Sequence, residues 1–188
     1  MKNEELKEGF FYNIMKFFFK IKHWQLFGIF FAASICTAIT EMSEKKDYII
    51  LIPDFIISFL LIFPFACWLY SLGINLHKKL PMSVKMNLKR FKISFFVSIF
   101  YMLCFGAFIF IGIDFMHKIF GLIFIIHIFA LYYLFYCFYF VAKSLKSIEL
   151  QKEAIWSEND YALYFFSLCF FPIGIWVLQP KINKLFDN

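Results

Sequence analysis

Five stretches of this chain carry almost no charge: Trp24 to Thr40, Tyr48 to Leu76, Ile93 to Ile113, Ile119 to Ala142 and Ala162 to Gln179. Of all the Asp, Glu, Lys and Arg residues, only Asp54 falls inside one of them. A helix needs about 20 apolar residues at roughly 1.5 Å rise each to cross hydrocarbon, and it must satisfy its own backbone groups because lipid cannot. The runs match that length. The second is over-long, and Pro53 supplies a natural helical start, since proline fits the first turn and disfavours helix just before it. The pattern therefore predicts an all-α integral membrane protein, a five-helix transmembrane bundle with spans at 24–40, 53–76, 93–113, 119–142 and 162–179, in one domain covering 1–188.

The fifth run admits two readings. It is short and carries Pro172 and Gly174 near its middle, which suits a re-entrant segment. Trp156 and Trp176 stand about 30 Å apart if the stretch is one helix, the separation of anchors at two interfaces, which suits a full span. Gln179 before Pro180 would then mark the exit, and we expect the full span. In residues 1–23, Phe10, Phe11, Ile14, Phe17, Phe18 and Ile21 recur at helical spacing against Lys16, Lys20 and Lys22. That suits either an interfacial helix or an extension of the first span. The connections Glu41 to Asp47 and Asp114 to Lys118 are short enough to force antiparallel neighbours.

Composition sharpens the picture. The chain of 188 residues is 62% apolar and 17% charged, with 31 Phe and a mean hydropathy of +0.73, against about 45–50% apolar and about 25% charged for an ordinary soluble domain. Cationic residues then orient the bundle, because cytoplasmic connections carry the excess. Fourteen of them fall on one side: Lys2, Lys7, Lys16, Lys20 and Lys22 in the tail, the six from Lys78 to Lys92, and Lys143, Lys146 and Lys152. With a fifth span, five fall on the other: Lys45, Lys46, Lys118, Lys181 and Lys184. The N-terminus is expected in the cytoplasm and the chain in a bacterial inner membrane, multi-pass. The net charge of +6 is accounted for by this asymmetry and by anionic lipid headgroups, so no nucleic-acid partner is expected.

Few residues offer chemistry. Asp54 and His127 lie at similar depth from the outer ends of their helices and would form a proton or cation relay if they met. Otherwise Asp54 caps a first turn and His127 makes a hydrogen bond between helices. Gly28, Ala32, Cys36 and Thr40 recur every four residues and form a stripe for close helix packing, within the chain or across a dimer. Lys78, Lys79, Lys85, Lys89, Arg90 and Lys92 form a basic patch, either purely topogenic or a surface for headgroups or a cytoplasmic partner. The five cysteines lack C-x-x-C spacing and a histidine at ligand spacing, so no metal site is expected, and no cofactor. Zinc, nucleophile-elbow and phosphate-loop motifs are absent.

Two stretches, WLYSLGINLHKKLP with VKMNLKRFK (Trp68 to Lys92) and FFPIGIWVLQPKIN (Phe170 to Asn183), resemble small, uncharacterised multi-spanning inner-membrane proteins of the Bacteroidota. That resemblance implies no activity and transfers no site residue. The poor polar inventory favours a non-enzymatic membrane partner or assembly subunit, working beside another membrane protein or as a homo-oligomer. The alternative is a small channel or transporter using Asp54 and His127. An intramembrane enzyme comes third, and would draw on His77, Asp114, His117 or Glu153.

Overall fold

A computed structural model describes residues 17, 21–42, 51–109, 120–153 and 161–186. Among these residues the chain is all-helical: α1 His23–Met42, α2 Leu51–Lys78, α3 Leu88–Ile109, α4 Phe120–Glu153, α5 Ala162–Cys169 and α6 Phe171–Phe186. The proposed interfacial segment before Ile21, both short connections and Trp156 lie outside the described residues, apart from Phe17 and the ends of α1.

The first two helices follow the apolar runs closely, whereas α3 begins five residues before its run and carries Lys89, Arg90 and Lys92. Pro53 sits in the first turn of α2, while Pro64 lies inside the same helix, where it removes one i to i−4 backbone bond. The connection to α3 ends on Asn87, whose side-chain Oδ1 accepts the Arg90 backbone N–H at 3.0 Å. That bond satisfies one of the donors left free at a helix start. The fourth helix differs from expectation. It continues past Ala142 through the basic stretch to Glu153, 34 residues in all and about 51 Å long. Lys143, Lys146 and Glu149 are therefore on a helix, where sequence reading places a connection. Among the described residues α4, over Gly121–Gln151, is the helix long and apolar enough to cross a membrane, and only 17% of its most apolar window is buried.

The run Ala162 to Gln179 is where the structure departs most from the full span expected of it. It is two helices folded back on each other. The first ends at Phe170, whose backbone (φ −98°, ψ 50°) leaves the helical region. Pro172 follows as the second residue of α6, a position that needs no N–H. A Cβ built on Gly174 would lie 1.7 Å from the Ser167 carbonyl oxygen, so the two backbones touch where only glycine fits. Farther down, Lys181 Nζ is 2.7 Å from the Tyr164 hydroxyl, although one continuous helix would separate these residues by about 25 Å. The Trp156–Trp176 spacing argument fails accordingly, because no single helix runs through the segment.

The returning helix of this hairpin, α6, packs beside the residues before α1 and the C-terminal ends of α2 and α4. Gln179 Nε2 donates to the Ile21 carbonyl at 3.0 Å, and Lys79 Nζ donates to the Leu185 carbonyl at 3.0 Å. Lys181 also reaches Glu149 on α4. Lys181 thus shares an end of the fold with Lys22, Lys79 and Lys146. The core sits at the same end. Leu26, Trp68, Leu72, Phe91, Phe140 and Ile175 have almost no exposed surface. The Phe91 ring stacks on Phe140 at 4.6 Å and fills the space over Gly73, where a Cβ would come within 2.1 Å of it.

Candidate functional site

The hairpin α5–α6 carries Gln179 and Tyr164, two buried side chains whose polar groups meet other parts of the chain. Gln179 has no exposed surface, and its amide is fully engaged. Its Oε1 accepts the Trp68 indole N–H at 2.8 Å; its Nε2 donates to the Ile21 carbonyl and, at 3.1 Å, to Asn183 Oδ1. A buried amide left unpaired costs several kcal/mol in apolar surroundings, so each of these partners is needed. The exit role expected for Gln179 is therefore corrected: it is a buried junction tying α6 to α2 and to the backbone before α1.

A second junction closes the mouth of the hairpin. The Tyr164 hydroxyl, on a residue only 2% exposed, donates to Glu149 Oε2 and lies 2.7 Å from Lys181 Nζ. Lys181 also stands 3.3 Å from Glu149 Oε1, and Lys146 reaches Oε2 at 3.5 Å. Burial pushes the Glu149 carboxyl upward, but the Tyr164 hydrogen bond and the charges of Lys181 and Lys146 together outweigh it. Its pKa is held below the ordinary carboxylate value. Sequence reading missed this cluster because its members are 15 and 17 residues apart and stand on three different helices.

The residues singled out from sequence are distributed differently. His127 Nδ1 is 2.7 Å from the Tyr101 hydroxyl, joining α4 to α3, with the Phe105 ring 5.8 Å away. Asp54 falls in the first turn of α2, but its side chain lies outside the described residues, so the proposed relay pair does too. Gly28 and Ala32 are exposed, and a Cβ on Gly28 would meet nothing within 4 Å. The Cys36 and Thr40 side chains lie outside the described residues.

The basic patch separates into two groups. Lys79 is tied to the Leu185 carbonyl and lies 4.0 Å from the centre of the Phe186 ring. Arg90 donates to the Tyr132 hydroxyl at 3.0 Å and covers the Tyr136 ring at 4.6 Å. Lys78, Lys85, Lys89 and Lys92 are exposed. Of the groups considered for catalysis, His77 has a buried Nδ1 without a hydrogen-bond partner. Asp114, His117 and the Glu153 side chain lie outside the described residues.

An open groove of about 810 Å³ lies where the hairpin tip meets the longer helices. Phe166, Phe170 and Phe171 line it from the hairpin, Phe65 from α2, and Leu134 and Phe138 from α4. Its walls offer aromatic and aliphatic carbon almost throughout, which suits apolar contact and gives no means of moving a proton. Among the described residues no three His, Cys, Asp or Glu side chains converge as metal ligands. Comparison with protein-family models, with curated proteins and with solved structures finds no match to this chain.

Proposed function

We propose that this chain is a non-enzymatic, multi-pass subunit of a bacterial inner membrane, working as a partner or assembly factor for another membrane protein. In this reading α1 to α4 cross the bilayer, α5 and α6 form a re-entrant hairpin, and both termini face the cytoplasm. One observation carries the functional part: the buried polar groups of the hairpin are engaged by partners within the protein. Gln179 is saturated by Trp68, Ile21 and Asn183, and Tyr164 is held between Glu149 and Lys181. The groove beside them is walled by carbon. A catalytic or conducting site needs polar groups convergent on open space.

The membrane part is supported by the outer surface. Phe96, Phe100, Phe124, Phe129, Phe170 and Ile173 are each more than half exposed, a burden that a water-soluble monomer rarely carries over contiguous faces. Exposed Trp24 and half-exposed Trp176 stand near the end that gathers the cations, as aromatic anchors do beside a basic cytoplasmic surface.

Gentle detergent extraction of the tagged chain, followed by native mass measurement, tests the proposal. A stoichiometric second membrane protein is the expected result. A particle containing this chain alone, in one copy, would sink the partner reading. A symmetric ring of copies enclosing a polar passage would replace it with a pore.

A further inference from the structure

We propose that the exposed face of α3 binds an anionic phospholipid of the inner leaflet, with the phosphate between Lys89 and Lys92 and the acyl chains along the helix; this rests on the membrane reading above. The face is continuous. Lys89, Lys92, Ile93, Phe96, Phe100 and Leu103 fall within an arc of about 100° at 3.6 residues per turn, and all six are exposed. The opposite face, with Phe91, Ser94, Phe95 and Ser98, is buried. The exposed stripe is divided along its length: two ammonium groups in the first turns, then apolar side chains alone.

From Ile93 to Leu103 the stripe runs about 15 Å along the axis, the depth of one leaflet of a hydrocarbon core about 30 Å thick. Two cations followed by one leaflet's depth of apolar surface is the complement of an anionic headgroup followed by its tails. Among the described residues no carboxylate pairs with Lys89 or Lys92. Between Asp54 and Asp114 the sequence has no carboxylate, and the ion pairs among the described residues, Lys146–Glu149 and Lys181–Glu149, lie elsewhere. The neighbouring cations Lys79 and Arg90 are held by groups of the protein itself. The patch that looks uniform in sequence therefore has members that fix the fold and members that face the lipid. An acidic cytosolic protein would meet the lysines but not the apolar stripe that continues from them.

The test uses the full chain. Alkaline washing of membranes comes first; a chain released by it would overturn both the membrane reading and this site. The retained protein is then purified and titrated with phosphatidylglycerol and with phosphatidylcholine, and bound lipid is read by native mass spectrometry. Wild type is expected to keep phosphatidylglycerol preferentially. K89Q/K92Q should lose that preference by about 25-fold, at about fivefold per lysine, with thermal stability unchanged. K89R/K92R should restore it, and K79Q should leave it intact. Equal retention of the two lipids by wild type, or an unchanged preference in K89Q/K92Q, would overturn the site alone. Selective capture of an acidic soluble protein without lipid preference would reassign the face to protein docking.

Discussion

Gln179 makes three hydrogen bonds from a position with no exposed surface, and Trp68 depends on it for the partner of its indole N–H. Gln179→Leu would keep the volume and strand the Trp68 donor and the Ile21 carbonyl. We expect it to destabilise the purified protein by about 1–3 kcal/mol per stranded group, read as a lower midpoint of thermal unfolding in detergent. Trp68→Phe/Gln179→Leu should recover part of the loss, because the stranded donor goes with the indole. Glu149 makes a pH-dependent contribution. Its carboxyl titrates lower folded than unfolded, so the stabilisation is present above the unfolded value and is lost as pH falls through the folded one. The stability gap between wild type and Glu149→Gln should stay constant above the ordinary carboxylate range and close as the pH falls through and below it. A gap that closed on the alkaline side would contradict the cluster as described. Neither junction was legible from sequence, since Gln179 and Trp68 are 111 residues apart.

The hairpin depends on a short list of local features. A helix terminator at Phe170, a proline that starts the next helix, and a glycine at the crossing act within five residues. Gly174→Val places a side chain against the Ser167 carbonyl oxygen, which belongs to backbone and cannot turn aside. We expect the pair α5–α6 to splay, exposing the region around Phe170 to limited proteolysis that wild type resists; equal resistance would show that the two helices do not depend on close backbone approach. Pro172 and Gly174 were visible in sequence as signs of a break, and they proved the better guide than the tryptophan spacing. A proline and a glycine act on the backbone directly, whereas aromatic spacing has meaning only after a straight helix is assumed. The extension of α4 to Glu153 was hidden for a related reason. Hydropathy reports where apolar residues stop, but lysines and glutamates continue a helix as readily as leucines do.

At the scale of the molecule, the hairpin decides where the chain ends. Bonds from Gln179, Lys79 and Lys181 hold the last helix beside the start of α1 and the ends of α2 and α4. Reporter enzymes fused to either terminus should both be active only in the cytoplasm. A C-terminal reporter active in the periplasm would restore a fifth span and undo the hairpin. The helical character of the apolar runs and the uneven spacing of cations between them were determined by sequence alone, because each depends on the composition of a continuous stretch. Whether the final stretch crosses or returns, which polar groups meet at Gln179 and Glu149, and which cations of the basic connection are tied to other helices were decided only by tertiary structure. Those outcomes follow from contacts between segments far apart in the chain, where a difference of one turn in packing selects the partner and no local pattern records the choice.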